Sequence, residues 1–187
     1  MSSMNDKKIK GKTSSEFKFE ESIYDNCVFE SCDFETANLR DVKFIDCEFT
    51  ECNLSNSGIT DSFFQNVVFK DCKMIGLQFD TCSTFGLEMS FNNCVLDDSN
   101  FSNLKLPNTN FSNSSLKNVD FASTDLSKSN LGSCNLENAI FEQSDLREAD
   151  LRNAINYRID PDINKVSKAR FSVEGLIGLL GKYNIRL

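Results

Sequence analysis

An apolar residue stands at every fifth position through most of this chain. The first run is Phe19, Tyr24, Phe29, Phe34, Leu39, Phe44, Phe49, Leu54, Ile59, Phe64, Phe69, Met74 and Phe79. A second begins at Phe91 and continues through Leu96, Phe101, Leu106, Phe111, Leu116, Phe121, Leu126, Leu131, Leu136, Phe141 and Leu146 to Leu151. Only 40% of the residues are hydrophobic, so an unbroken series of this length has a chance of roughly one in 10^10. A five-residue period matches neither the alternation of a strand nor the turn of an α-helix.

Two residues before each centre sits a smaller residue: Cys27, Cys32, Ala37, Val42, Cys47 and Cys52 early on, and Thr109, Ser114, Val119, Thr124, Ser129 and Cys134 later. The other positions are mostly polar. If the centre and the small residue both point inward, each unit supplies one large and one small core side chain, and a narrow tube fills without voids. Four units make a square coil, and coils stack through backbone hydrogen bonds at about 4.8 Å. Self-similarity of this kind specifies a solenoid. The expected fold is all-β, a right-handed quadrilateral β-helix over residues 17–156. A disordered lead is expected over residues 1–16, and a capping or dimerising segment over residues 157–187.

Units such as Ala149-Asp150-Leu151-Arg152-Asn153 and Ser144-Asp145-Leu146-Arg147-Glu148 resemble the repeat of the pentapeptide-repeat proteins. The tract from Ile155 to Leu187 resembles the tail of the topoisomerase-interacting members of the Qnr, MfpA and McbG type. The resemblance implies a rod that imitates duplex DNA and binds a bacterial type II topoisomerase, either DNA gyrase or topoisomerase IV. It also implies resistance to quinolones or to a gyrase toxin, and a C-terminal helix that joins two solenoids. The chain lacks the two longer inserted loops of the plasmid-borne Qnr pattern, which places it nearer the mycobacterial member.

All eight cysteines occupy the small inward slot, Cys82 doing so if Thr84 is its polar centre. They lack the paired spacing of zinc knuckles. Stacked in register they stand about 4.8 Å apart, beyond disulfide reach. They are read as buried, reduced thiols, with no metal. The chain has no histidine, which removes the commonest general base and metal ligand. With no phosphate-cradling loop either, an enzyme and a bound cofactor are not expected. No long apolar run suggests a membrane span; the lead has no signal-like core, and a cytoplasmic protein is expected.

The charge is unevenly placed. Residues 17–156 hold 23 carboxylates against 10 cations, while both flanking segments are net positive. So acidic a body disfavours direct nucleic-acid binding and favours a basic protein partner. Spread over about 30 Å of rod, this is about 0.4 charge per Å, against about 0.6 for duplex DNA. The candidate partner-binding acids are Asp33, Glu35, Glu48 and Glu51, then Asp97 and Asp98, then Glu142, Asp145 and Glu148. The competing expectation is a generic scaffold whose acids serve solubility.

Between Phe79 and Phe91 the register gains two residues, a phase break near 80–90 read as a bulge with Gly86 at its turn. Ile23, Ile45, Phe63 and Phe85 are outward apolar residues that fall on one face. After the turn at Asp160-Pro161, Ser172 is placed as an N-cap with Phe171 before it. Val173, Leu176, Ile177, Leu179 and Leu180 then form a helical stripe. This predicts a short C-terminal α-helix at about 173–181, ended by Gly181, with Tyr183, Ile185 and Leu187 as an extended tail. Leu176, Ile177, Leu179, Leu180 and Tyr183 are the candidate interface of a homodimer.

Overall fold

A computed structural model describes residues 2–20, 22–183 and 185; Leu187 lies outside them. Among the described residues nine short strands come first: β1 (Ser3–Asn5), β2 (Lys8–Lys10), β3 (Ile23–Asp25), β4 (Val28–Glu30), β5 (Lys43–Ile45), β6 (Glu48–Thr50), β7 (Phe63–Gln65), β8 (Val67–Lys70) and β9 (Met89–Asn92). Two more, β10 (Asp150–Leu151) and β11 (Arg170–Phe171), come near the end. All pair in parallel, with β1-β3-β5-β7 on one face and β2-β4-β6-β8-β9 on the next. Tyr24 registers with Phe44 and Phe44 with Phe64, a step of one coil. Single bridges such as Val95 to Ser115 and Asn100 to Asp120 carry the same step through the second half. The result is the all-β solenoid the period requires, about 8 turns long.

Each position of the five has a physical job. The centres form flat stacks along the rod, such as Phe79 on Phe101 at 4.4 Å, and meet edge-on within a coil, such as Phe101 against Phe111 at 5.6 Å. The small slot holds a donor that reaches the centre carbonyl of the coil before: Ser62 Oγ to Leu39 O at 2.7 Å, Thr124 Oγ1 to Phe101 O at 2.8 Å, Cys52 Sγ to Phe29 O at 3.3 Å. Ser, Thr and Cys therefore interchange there without leaving a buried donor unpaired. The Asp or Asn before many centres accepts from the backbone N–H two residues on, as Asp120 does from Ala122 at 2.8 Å, the bond that favours these residues in turns. Two residues after the centre the backbone is left-handed, as at Asn26, Asp46, Asn66 and Asn118, the conformation Asn and Asp tolerate best.

Three expectations about the coils need correction. The first residues are not a disordered lead. β1 and β2 pair with β3 and β4, Thr13 bridges Asp33, and Ile9 is buried. Residues 2–20 thus form a coil, closed at its open end by Phe17, whose ring meets Phe34 at 5.9 Å and Phe29 at 6.2 Å. The solenoid does not stop at 156 either. Tyr157 and Ile159 are buried, Asp145 bridges Lys165, and Leu151 pairs with Phe171. At the phase break Val67 registers with Met89 and Phe69 with Phe91, a step longer by two residues. Thr84 is exposed rather than a core centre, and the half-buried Leu87 packs on the core there.

The C-terminal helix is of the tighter, three-residue type, over Val173–Leu179 and again over Gly181–Tyr183, not the α-helix expected. Its glycines recur every third residue, at 175, 178 and 181, which matches three residues per turn. Gly175 and Gly178 press on Tyr157, and a Cβ at Gly178 would stand 2.5 Å from the Tyr157 carbonyl oxygen. An α-helix, at about 3.6 residues per turn, would rotate these glycines off the ring. Ser172 does not cap this helix; its hydroxyl accepts from the Asn153 N–H at 2.8 Å.

Candidate interaction surface

The nine candidate acids are not equivalent. Asp33 and Glu35 lie on one face and Glu48 on the preceding face, with Glu51 near the corner between them. Asp33 accepts from Asn53 Nδ2 at 3.0 Å and from the Glu35 N–H at 3.2 Å; Glu51 accepts from Ser31 Oγ at 2.8 Å. Glu48 is part-buried, and Lys70 at 2.7 Å holds its carboxyl below the usual range. Asp97 accepts from Ser115 Oγ at 2.6 Å and from the Lys117 N–H at 3.0 Å, and Asp98 from Asn118 Nδ2 at 2.8 Å. Glu142 and Glu148 are exposed.

Asp145 departs from the expectation of an outward, free acid. It is buried, Arg147 grips it with Nε at 2.8 Å and Nη2 at 2.5 Å, and Lys165 stands 3.7 Å away. The Arg147 guanidinium keeps its carboxyl below the usual range. A bidentate fork of this kind uses the charge within the fold. Asp150 is held the same way by Arg152.

Sequence reasoning missed two arrangements. Amide–carboxylate rungs climb the corners: Asn26 donates to Asp6 and Asn66 to Asp46, both at 2.7 Å, and Asn93 to Asp71 at 2.6 Å. The signal was an Asp and an Asn one coil apart, legible once the coil length is known. The rungs orient the acids along the corners. The second is a basic cluster on the first coil, where Lys8 and Lys10 both pair with Glu30 and pull its carboxyl down to about 2.

All eight cysteines are free and buried. Burial pushes the thiols of Cys47, Cys82 and Cys134 up to about 12. Among the described residues no group of cysteines and carboxylates is placed to hold a metal ion, and no helix is long and apolar enough to cross a membrane. At the C-terminal end, Leu176, Ile177, Leu180 and Tyr183 are exposed, whereas Leu179 turns inward onto its own core. The candidate dimer surface is thus four of the five residues expected, joined by Val173, 79% exposed.

Coil, register and inward slots define a protein class, the quadrilateral solenoid built from five-residue units. The family described as pentapeptide repeat region matches residues 18–88 and 87–151, and the chain belongs to it. Among solved structures, full-length QnrB1, a plasmid-mediated fluoroquinolone resistance protein, shares 18% identity, with 98% of this chain and 100% of that chain covered and a TM-score of 0.56. A trypsin-treated variant of QnrB1 shares 19% identity over 99% of this chain and 97% of that one, with a TM-score of 0.57. At this identity the likeness is one of fold. No curated protein matches the chain.

Proposed function

We propose that this chain is a non-enzymatic, cytoplasmic interaction protein, a DNA-mimicking rod that binds a bacterial type II topoisomerase, DNA gyrase or topoisomerase IV. The observation that carries the reading is the charge distribution on the solenoid. Carboxylates such as Asp33, Glu51, Asp98 and Glu142 stand outward at intervals along the rod, while the cations concentrate in the end coils. A basic saddle built for duplex DNA responds to the summed field of such a surface more than to one contact. The fold likeness to a fluoroquinolone resistance protein supports the choice of partner. Two copies joined through Leu176, Ile177, Leu180 and Tyr183 would double the length of the rod. The deciding experiment is a DNA gyrase supercoiling assay with and without the purified protein. Dose-dependent inhibition, or relief of quinolone inhibition, supports the reading; no effect at excess protein and low salt overturns it.

A second reading, a general protein-interaction scaffold, has its own support. Arg147 and Arg152 neutralise Asp145 and Asp150 within the fold, so the C-terminal coils are less DNA-like than their acid count suggests.

A further inference from the structure

We propose that Ile23, Ile45, Phe63 and Phe85 form a protein-docking strip, and that it receives a basic protein surface with an apolar pocket for the Phe85 ring. This deepens the reading above and rests on the solenoid's meeting a basic partner.

Ile23, Ile45 and Phe63 lie on the outward side of β3, β5 and β7 in one sheet and are each half-buried. The phase break extends the strip. Its two extra residues push Phe85 out to 81% exposure, yet the ring stays 6.2 Å from that of Phe63. Gly86 makes the outward turn at φ +65, and a Cβ there would stand 3.4 Å from the Phe63 ring. A glycine turn that lifts an aromatic ring into water beside a second one suits a contact surface rather than a core.

The flanks fix the chemistry of the occupant. Exposed Asp41 and Asp61 run along one edge of the strip, and Asp6 and Asp46 along the other. Lys43 stands on the strip, and Arg40 is engaged by Asp61 at 3.5 Å. A partner therefore needs apolar surface at its centre and lysine or arginine at its rim. A second copy would set carboxylate columns against carboxylate columns, and an anionic lipid surface would be repelled for the same reason. The chain's own described segments leave the strip open: residues 2–20 continue its sheet, and the C-terminal segment lies at the other end of the rod.

The test uses the full chain, purified DNA gyrase, and a labelled lysine-rich amphipathic peptide as second probe. Phe85→Ala removes an exposed side chain, and its melting curve should overlay the wild type. It should weaken gyrase binding about tenfold or more, by the same factor at low and high salt, because an apolar contact is not screened. If wild type binds gyrase and Phe85→Ala binds equally well, the strip is overturned and the function above stands. If wild type does not bind gyrase, that function falls and the peptide decides. Tighter binding by wild type than by Phe85→Ala supports the strip. Equal binding by both, or equal binding of a peptide whose apolar residues are serine, overturns it. Loss of self-association in Phe85→Ala, or binding of wild type to anionic vesicles, also overturns it.

Discussion

The ring of Phe44 lies flat on that of Phe64 one coil further on, centroids 5.5 Å apart and planes within 10°, and meets Phe49 of its own coil edge-on at 5.4 Å. A side chain in a close-packed stack has no route for collapse when it is removed. Phe44→Ala should therefore cost about 3–5 kcal/mol of stability. Exposed Glu142→Ala should change it by less than about 0.5 kcal/mol. Chemical denaturation of the two variants checks the inside and outside assignment; equal shifts would refute it.

The thiols make a second prediction. Along the main column each Sγ points at a backbone carbonyl, as Cys52 does at Phe29 and Cys72 at Phe49, both 3.3 Å. Burial shields a thiol from reagent, and where it also pushes the ionisation up, as at Cys47, Cys82 and Cys134, reaction slows further. Titration of the native protein with a thiol reagent should label few cysteines, and denaturant should expose all eight. Prompt labelling of most of them in the native state would contradict the packing.

The coil was legible because its core positions repeat, and it became illegible where a slot lost its usual occupant. Met4 and Ile9 are in phase with Phe19, but Lys7 and Lys12 fill the small slot and Ser14 the large one. In a terminal coil that slot opens to water, so lysine is tolerated and the pattern fades. At the other end Asn156 and Pro161 interrupt the period, and Val166 and Phe171 resume it. The choice between α and three-residue helix depended on Tyr157 beneath Gly175 and Gly178, a packing relation that the stripe at 173–180 does not contain. The acids were legible as outward residues; the fork between Asp145 and Arg147 was not, because it depends on depth and side-chain direction.

That fork implies a pH dependence. The folded-state pKa of Asp145 lies below its unfolded value because Arg147 stabilises the carboxylate, and Asp150 follows with Arg152. A depressed carboxyl contributes stability that is complete above the unfolded pKa of about 3.9. The contribution is lost as pH falls through the folded pKa. Asp145→Asn should lower the melting temperature at pH 7 by about 2–4 °C, and the gap from wild type should close as the pH drops below the carboxylate range. A gap that widens in acid would reverse the sign and refute the assignment.

The C-terminal contact separates two roles. The Tyr157 hydroxyl is buried without a hydrogen-bond partner among the described residues. Tyr157→Phe removes an unsatisfied group, and stability should be unchanged or higher. Gly178→Ala drives a methyl into the Tyr157 backbone and should loosen the segment in every oligomeric state. Leu176→Asp with Leu180→Asp alters side chains that are 44% and 38% exposed. It should leave the solenoid's melting intact and convert a dimer to a monomer in sedimentation. Wild type that sediments as a monomer at micromolar concentration would mean that the segment only closes its own rod.

The last prediction ranks the acids. If the solenoid binds a topoisomerase through its field, neutralising free carboxylates should weaken inhibition of supercoiling, and removing an acid together with the cation that pairs with it should not. Asp33→Asn with Glu35→Gln and Glu51→Gln removes charges that face water and, among the described residues, accept from neutral amides and a hydroxyl. Inhibition should weaken several-fold, and added salt should shrink the difference, since exposed charges are screened within about 10 Å at 0.1 M. Glu142→Gln with Glu148→Gln should act in the same direction at the other end. Asp145→Asn with Arg147→Gln, by contrast, removes both members of an ion pair and leaves the net charge unchanged, so inhibition should change little at a temperature where the variant is folded. Equal loss from the paired and the free acids would mean that the effect follows the fold's integrity rather than its field, and the electrostatic account of binding would fail.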